Sequence, residues 1–367
     1  MSQLSPLPPN IDLETRTVLK QLTRSHRALS ELKGYANMIP NKNILINAIL
    51  LNEAKDSSEI ENIVTTHDEV FKAISIEDYK NPAAKAVVNY RTALWHGYNK
   101  VIEKNVITNN VITGIQQQMV LSRAGIRKPH GTGHNNKPGT EFENEEMEQI
   151  IHTPPDSEQE IMELLSNLEN YINNDEDETD PLVKLALIHA QFEAIQPFYN
   201  GNGRTCSILS ILYLVLKGLL DSPILYLSKY IIRNQEAYFI NLRRVTVEHR
   251  WLDWILFFLK GIEETATETL QLVRGIDAYI NETAARIKEE LPDIYQRELV
   301  DLLISEFYTK NKYLVEGLGV SRRTAYTYLS KLIDKGFLKE KKVGKAKIYF
   351  NEGLFELVKN FGTTTKG

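Results

Sequence analysis

The stretch FEAIQPFYNGNGRT, residues 192–205, decides how this chain is interpreted. Its Gly-Asn-Gly-Arg segment lies immediately before a long apolar run that predicts a helix. An Asn-Gly pair alone predicts only a tight turn between helices. At a helix start, however, backbone N–H groups bind phosphate, Gly201 and Gly203 allow close approach of an anion, and Arg204 adds a guanidinium. The stretch therefore favours a nucleotide-phosphate site that has no Walker pattern.

The composition is that of a globular protein large enough for more than one domain. The chain has 367 residues, of which 42% are hydrophobic, and a net charge of −5. The start, MSQLSPLPPNIDL, lacks the features of a secretion signal, and the longest apolar run, 208–216, is too short to span a membrane. The single cysteine, Cys206, excludes an internal disulfide framework and a cysteine zinc site. We therefore expect a cytoplasmic protein with no membrane partner.

Apolar residues recur at helical spacing through most of the chain, whereas strand patterns are scarce. The sequence therefore predicts a mainly α protein. The clearest predicted helices are 86–102, 158–172, 181–195, 204–220 and 251–273. A stretch rich in Gly, Pro and Asn, 124–142, interrupts them and predicts a hairpin or loop that carries Arg127, Lys128 and Lys137.

The stretch QFEAIQPFYNGNGRTCSIL, residues 191–209, resembles the signature of Fic-domain proteins, His-Pro-Phe-x-Asp/Glu-Gly-Asn-Gly-Arg-x-x-Arg. The resemblance runs from Leu45 to Thr269 and includes the flank GLLDSPILYLSKYIIRNQEAY, 218–238. Proteins of this family transfer AMP from ATP to a hydroxyl side chain of a target protein. The resemblance implies a Fic-type helical domain, a small β-hairpin flap at 124–142 that aligns the target segment, ATP as substrate and Mg²⁺ as cofactor.

Within the signature, the resemblance assigns nucleotide binding to a run of matching residues. Four of them would hold the α- and β-phosphates: Gly201, Asn202, Gly203 and Arg204. Phe198 would anchor the loop in the core. The resemblance also places the γ-phosphate contact of the family's second arginine at position 207, where this chain has Ser207.

Three positions depart from the family signature, because Gln196 replaces the catalytic histidine, Asn200 the metal-binding carboxylate and Ser207 the second arginine. Gln196 cannot accept the proton of an attacking hydroxyl, and loss of a general base typically costs roughly 10²- to 10⁴-fold in rate. Asn200 supplies no negative charge to Mg²⁺, and Ser207 cannot pair with phosphate as a guanidinium does. His189 lies about 10 Å too far back along its helix to substitute, and we interpret it as a core histidine.

A second motif, AKDSSEIENIVTT, occupies residues 54–66. Its Ser57, Glu61 and Asn62 resemble the family's inhibitory motif Ser/Thr-x-x-x-Glu-Gly/Asn, whose glutamate occupies the γ-phosphate site. Taken alone, the segment is better explained as a helix start with Ser57 or Ser58 as the N-cap. Beside the phosphate signature we favour an inhibitory Glu61. Since Ser207 replaces the usual arginine partner, the sequence leaves Glu61 to pair with Arg204 or with no residue.

The C-terminal segment is electrostatically distinct. Between Lys310 and Lys347 eleven Lys or Arg face three acidic residues, a balance of +8. Its pattern resembles a winged helix-turn-helix, in which Ser321 caps the recognition helix, Gly336 closes it and two strands turn at Gly344. The residues predicted to contact duplex DNA are Arg322, Arg323, Thr324, Tyr326, Thr327, Lys341, Lys342 and Lys345. A dimerisation or substrate-docking module is the alternative.

Together these patterns predict four regions: an N-terminal helical region with the inhibitory helix, 1–104; a Fic core, 105–262; connecting helices, 263–295; and a winged-helix domain, 296–367. The predicted function is protein AMP transfer, autoinhibited by Glu61 and weak because of the three substitutions. The alternative is a catalytically degraded scaffold that acts as a nucleotide- and DNA-binding transcription regulator. Expected partners are ATP or ADP, a target protein with a Ser, Thr or Tyr hydroxyl, duplex DNA and a second copy of the chain, with Mg²⁺ binding weak or lost.

Overall fold

A computed structural model describes residues 4–39, 41–76, 81–122, 124–128, 153–343 and 346–361. These residues form a mainly α protein with one small antiparallel sheet, which confirms the predicted fold class. Most of the predicted flap, Lys137 included, lies outside the described residues, and so does Lys345. In the described ranges, no helix is both long and apolar enough to cross a membrane.

The helices that precede the C-terminal unit differ widely in length. In chain order they are α1 Arg16–Ala36, α2 Lys42–Ile60, α3 His67–Ile76, α4 Pro82–Lys104, α5 Asn109–Val120, α6 Glu158–Asn173, α7 Pro181–Ile195, α8 Asn202–Leu216, α9 Ser228–Arg233, α10 Gln235–Glu248 and α11 Trp251–Glu290.

Helices α7 and α8 form the centre of the fold. In α7 every residue from Leu182 to Ile195 is buried, as expected for a helix that is apolar on all sides. Asp180 caps its start by accepting a hydrogen bond from the N–H of Leu182. Trp254 of α11 donates its indole N–H to the carbonyl of Ala186 at 2.7 Å. The end of α7 and the start of α8 are thereby held in a rigid core.

Helix α2 is enclosed by neighbouring helices. Its buried residues lie on all sides of the helix, and it packs against α4, α8 and α9. The last helix of the chain covers another part of its surface. Because α2 is surrounded in this way, its C-terminal end has a fixed position relative to α8.

The longest helix, α11, extends well beyond the predicted segment 251–273. It has 40 residues and reaches Glu290, because Ile276, Ile280 and Ile287 continue the helical spacing of buried residues. It packs along α1 and also contacts α7. Residue 262, the predicted end of the core, lies inside this continuous helix.

The C-terminal unit, residues 297–361, contains the helices and strands α12 Arg297–Ile304, β1 Tyr308–Thr309, α13 Asn311–Leu318, α14 Arg322–Asp334, β2 Lys339–Val343, β3 Ala346–Phe350 and α15 Glu352–Phe361. Gly319, with φ 65°, turns the chain between α13 and α14, and Ser321 caps α14. The strands lie in the order β1-β3-β2, all antiparallel. Neither strand β1 nor helix α15 was predicted. Strand β1 has only two residues, too few to show an alternation of apolar and polar residues.

Candidate functional site

The loop between α7 and α8 is closed by one side chain. Asn202 accepts a hydrogen bond from the N–H of Phe198 at 2.9 Å and donates to its carbonyl at 2.8 Å. Phe198 is 1% exposed and anchors the loop in the core. Asn202 therefore uses its side chain to shape the loop. What it can contribute to an anion site is its backbone N–H.

Two glycines let other groups approach the start of α8. Gly201 has a φ of 78°, in the left-handed region that favours glycine, and a Cβ there would lie 3.0 Å from Cγ1 of Val120. At Gly203 a Cβ would lie 3.1 Å from Oε1 of Glu61. The absence of a side chain at Gly203 is thus what allows a carboxylate to reach the helix start.

Glu61 occupies the predicted phosphate position. Its Oε1 accepts the backbone N–H of Arg204 at 2.9 Å, and its Oε2 accepts Nε of the same residue at 2.7 Å. Of the two partners named by the sequence, Arg204 or none, the structure places Glu61 on Arg204. The arginine side chain is 3% exposed and the glutamate side chain 18% exposed. A carboxylate thus binds a helix N-terminus and a guanidinium together, the arrangement that a phosphate oxygen would use.

The segment that resembles the inhibitory motif lies at the end of a helix. Helix α2 ends at Ile60, and Asn62 adopts a left-handed conformation with φ 60°. The N–H of Ile63 then donates to the carbonyl of Ser58 at 2.9 Å, which terminates the helix. The alternative in which Ser57 or Ser58 caps a helix start is therefore wrong. Asn62 tolerates the turn that directs Glu61 towards α8.

Ser207, at the position of the second arginine, faces Ser57 of the segment that resembles the inhibitory motif. Its hydroxyl lies 3.1 Å from that of Ser57, and both side chains are buried. A neutral pair of hydroxyls therefore fills the place where the family signature has a cation. The sequence alone gave no reason to pair these two serines, which are 150 residues apart.

Gln196 is turned back onto its own helix. It adopts a left-handed conformation with φ 47° at the end of α7. Its Nε2 donates to the carbonyl oxygen and to Oε2 of Glu193, both at 2.9 Å. Burial raises the pKa of Glu193 to about 8, and the negative charge of Glu61 adds to the rise. At neutral pH most of the population therefore has a neutral Glu193 beside an amide, and neither group is a strong base.

Asn200 does not fit the Mg²⁺ role that the resemblance implies. Its Oδ1 accepts a hydrogen bond from the guanidinium of Arg204 at 3.3 Å, and its carbonyl accepts from Gln116 at 3.1 Å. Mg²⁺ binds carboxylate oxygens strongly and would have to share this one amide oxygen with a cation. The donors described at this position therefore do not fit a Mg²⁺ ion.

Comparison with known proteins agrees with this geometry. Residues 19–99 match the N-terminal domain of the Fic/DOC family, residues 109–214 match the Fic/DOC family domain, and residues 279–354 match the C-terminal domain of SoFic-like protein adenylyltransferases. This chain is a Fic family protein. Its relatives include a protein of Aquifex aeolicus strain VF5 named "Probable protein adenylyltransferase", 28% identical over 210 residues. That match covers 56% of this chain and 58% of the Aquifex protein.

Solved structures show the same fold. A Fic family protein from Desulfovibrio desulfuricans G20 has a TM-score of 0.57 and 17% identity, covering 95% of this chain and 98% of that one. Fic-1 from C. elegans, residues 134–508, has a TM-score of 0.50 and 15% identity, covering 72% and 73% respectively. At these identities the similarity concerns the fold.

His189 of this Fic protein lies in the core. Its Nδ1 is 3.0 Å from the hydroxyl of Ser210 and its Nε2 is 2.8 Å from that of Tyr238. Burial lowers its pKa to about 3, so the imidazole is neutral. Donor atoms of His189, Glu193 and Cys206 lie within 4.8 Å of one another. Since both imidazole nitrogens already have partners and Glu193 is mostly protonated, this group is a packing cluster rather than a metal site.

Sequence patterns assigned Arg127 to a hairpin, loop or flap at 124–142 and did not indicate the contacts that its side chain makes. The Arg127 side chain is buried and donates to the carbonyls of Gln196 at 2.6 Å, Pro155 at 2.6 Å and Ile195 at 3.2 Å. Its backbone N–H donates to the carbonyl of Pro197 at 2.9 Å. Arg127 thus satisfies carbonyls at the end of α7 and fixes the loop that follows. This role of Arg127 could in principle be inferred from the sequence, because the carbonyls at a buried helix end require hydrogen-bond donors.

Most residues of the predicted DNA surface are exposed. Arg322, Arg323, Tyr326 and Thr327 are exposed on α14, while Thr324 is half-buried. The hydroxyls of Thr324 and Thr327 bond within the helix, to Ser321 and to the carbonyl of Arg323. Lys341 and Lys342 are exposed on β2, with Lys341 above the ring of Phe350. Because successive side chains of a strand project to opposite sides, Lys342 does not share the side of Lys341. The exposed cations Arg322, Arg323 and Lys342 are called the basic face below.

Proposed function

We propose that this Fic protein binds the phosphate groups of a nucleotide at the start of α8 and that Glu61 competes for the same place. In this proposal AMP transfer from ATP to a Ser, Thr or Tyr hydroxyl of a target protein is the family activity, reduced to background in this chain. The observation that carries the proposal is the Glu61 carboxylate bonded to both N–H and Nε of Arg204.

The position of Glu61 implies a stronger block than the family motif alone. The resemblance places the inhibitory glutamate in the γ-phosphate site, where it opposes productive ATP binding. Here Glu61 uses the donors of Arg204, which the signature assigns to the α- and β-phosphates. A nucleotide must therefore displace Glu61 before any of its phosphates can bond fully with Arg204.

The chemical step is weak for a separate reason. Attack of a hydroxyl on the α-phosphorus requires a group that removes the hydroxyl proton, and Gln196 offers a neutral amide. Glu193 is 5% exposed and mostly protonated near pH 7. Ser207 and Asn200 supply neither the cation nor the anion that the signature has at their positions. These substitutions affect catalysis, whereas Glu61 affects binding.

Binding of ADP tests the proposal directly. Glu61→Gln is expected to raise the ADP affinity about tenfold or more, because the neutral amide competes less well than a carboxylate for the guanidinium. Arg204→Ala is expected to lower the affinity in the Glu61→Gln background by about tenfold or more, since a charge-assisted hydrogen bond is lost. Isothermal calorimetry measures both effects.

The matched control is Glu59→Gln. Glu59 lies two residues before Glu61, and its carboxylate pairs with Lys55. This variant is expected to bind ADP as the wild-type chain does. Equal ADP affinity in the wild-type protein, in Glu61→Gln and in Glu61→Gln with Arg204→Ala would refute a phosphate site at this position.

A second candidate function is DNA binding by the C-terminal unit. The supporting observation is the set of exposed cations Arg322, Arg323 and Lys342 on α14 and β2, the basic face. Exposed cations of this kind bind the phosphate backbone of duplex DNA and release counterions. In this proposal the protein couples a nucleotide site to a transcription-regulator module.

Salt dependence distinguishes the DNA-binding face from a protein-docking face. The full chain is expected to bind duplex DNA with an affinity that falls steeply with salt, and Arg322→Ala with Arg323→Ala should reduce the slope of log affinity against log salt by about two. Fluorescence anisotropy measures the slope. The control double variant, Arg27→Ala with Lys260→Ala, removes two exposed cations on α1 and α11. Absence of any DNA binding at low salt would leave the unit as a protein-interaction module.

A further inference from the structure

Helix α2 contacts the C-terminal unit at one part of its length and the phosphate site at its end. Nδ2 of Asn47 donates to the carbonyl of Ser305 at 3.0 Å and to Oε1 of Glu306 at 3.2 Å. Further along, the buried Nδ2 of Asn52 donates to the carbonyl of Val358 at 3.0 Å. Glu61 follows directly after the last turn of the same helix.

Glu306 joins two helices of the N-terminal helical region, α2 and α4, to the C-terminal unit. Besides Asn47, it accepts two hydrogen bonds from the guanidinium of Arg91 on α4, at 2.5 and 3.3 Å. Both side chains of the Glu306–Arg91 pair are about three-quarters buried, with 26% and 27% exposure. A two-point Arg–carboxylate pair has a defined geometry, so it fixes orientation as well as distance.

The sheet connects these contacts to the basic face. Strand β1 begins at Tyr308, two residues after Glu306, and pairs with β3. Strand β3 also pairs with β2, which carries Lys342 of the basic face, and leads into α15. Both contacts with α2 therefore come from segments that continue directly from the sheet of the basic face.

Helix α2 is suited to carry a displacement from these contacts to Glu61. From Asn47 to Glu61 the distance along the helix is about 20 Å, and a continuous hydrogen-bonded helix moves as a rigid element over such a length. At its end the required motion is small, because Glu61 and Arg204 are held by bonds of 2.7 and 2.9 Å. A shift of about 1 Å lengthens both bonds beyond good hydrogen-bond geometry.

From this arrangement we infer that the C-terminal unit regulates the phosphate site through α2, by setting how firmly Glu61 is held on Arg204. A ligand on the basic face of the unit is the effector, and duplex DNA fits the charge of that face. The inference rests on the proposed competition between Glu61 and nucleotide phosphate. By reciprocity, a nucleotide that displaces Glu61 changes the affinity of the C-terminal unit for its ligand by the same factor.

The decisive experiment compares ADP binding in two backgrounds. Glu306→Gln weakens the contacts with Asn47 and Arg91, so it is expected to raise the ADP affinity of the wild-type chain at least about fivefold. In the Glu61→Gln background the same substitution is expected to change the affinity less than about twofold, because the group through which it acts is already neutral. The control is Glu316→Gln on α13, an exposed glutamate that pairs with Lys312 within its own helix.

The outcomes separate this inference from the proposed function. A rise with Glu61→Gln but no change with Glu306→Gln overturns the coupling and leaves the phosphate site standing. An equal rise with Glu306→Gln in both backgrounds also overturns it, because the effect would then bypass Glu61. If neither Glu61→Gln nor Glu306→Gln alters ADP affinity, the proposed function fails first and the inference fails with it.

A second arm uses a random 30-base-pair duplex as the probe. Saturating duplex is expected to change the ADP affinity of the full chain at least about fivefold, and the change should disappear in Glu306→Gln. Duplex that binds the chain but leaves the ADP affinity unaltered overturns the assignment of DNA as effector. The first arm decides the coupling whether or not this duplex binds.

Discussion

Glu61→Gly alone is expected to leave AMP transfer at background, whereas the full set of restoring changes should raise it at least about 10²-fold. The set is Gln196→His, Asn200→Asp, Ser207→Arg and Glu61→Gly. A group that controls access to a site alters the rate only when the chemical step is competent. In the wild-type chain that step lacks a base, because the amide of Gln196 cannot accept a proton at neutral pH and instead donates hydrogen bonds to Glu193.

The local structure is compatible with these changes. Histidine is among the residues that adopt left-handed backbone conformations, as position 196 does with φ 47°. A carboxyl oxygen of Glu193 lies 2.9 Å from the Gln196 amide, so it is placed to orient an imidazole there. At position 207 the new guanidinium breaks the hydroxyl contact with Ser57. The three signature changes without Glu61→Gly should give a smaller gain in the rate of AMP transfer, because Glu61 still competes with the nucleotide. Adding Glu61→Gly should then increase the rate further.

Transfer of label from α-labelled ATP, with Mg²⁺ present, to the protein itself and to lysate measures these rates. The wild-type chain and Glu61→Gly are expected to be indistinguishable. Strong labelling by Glu61→Gly alone would show that Gln196 is no obstacle to the reaction, and the interpretation of a degraded catalytic site would then have to be abandoned.

Arg127→Met is expected to destabilise the protein by about 3 kcal/mol. The substitution keeps most of the side-chain volume but removes the donors from three carbonyls, those of Ile195, Gln196 and Pro155. A buried acceptor left without a partner costs about 1–3 kcal/mol, and local relaxation recovers part of the total. The loss is expected to be concentrated at the end of α7 and in the loop that leads to α8.

Urea unfolding and hydrogen exchange of residues 195–201 measure this effect. The matched control is Lys128→Met, which removes the neighbouring exposed cation and its surface pair with Glu158. That variant should lose less than about 1 kcal/mol, as is usual for a surface ion pair. If both variants unfold at the same urea concentration, Arg127 does not hold the loop.

Local sequence patterns predicted most of the helices because burial of one or all faces imposes a 3.6-residue period. The prediction for 181–195 agrees with the bounds of α7 at both ends, and Asp180 and Pro181 mark its start. Helix α8 begins at Asn202 rather than at the predicted 204, because Gly201 adopts a left-handed conformation and the helix starts immediately after it. The end of α11 was underestimated: Gly275 lies two residues after the predicted end, but it is not among the glycines with a left-handed φ and the helix continues through it to Glu290.

Contacts between distant segments were not available from the sequence. Glu61 and Arg204 are 143 residues apart, and their pairing depends on how α2 packs against α8. The buried position of Arg127 follows from the carbonyls at the end of α7, which need hydrogen-bond donors from outside the helix. The sequence of a Gly- and Pro-rich segment does not reveal this need. Residue types thus indicated the kind of site, whereas tertiary packing decided which groups meet there.

The closed loop between Phe198 and Asn202 has a consequence for the speed of ligand exchange. Two hydrogen bonds of the Asn202 amide hold this turn in shape without a ligand. The entropy cost of ordering the turn is therefore incurred during folding rather than at each ligand-binding event. In the proposed phosphate site, the departure of Glu61 therefore exposes a turn that is already formed. Ligand exchange is then governed by the lifetime of the Glu61–Arg204 contact, which consists of bonds to the backbone N–H and to Nε, while the turn keeps its shape through binding and release.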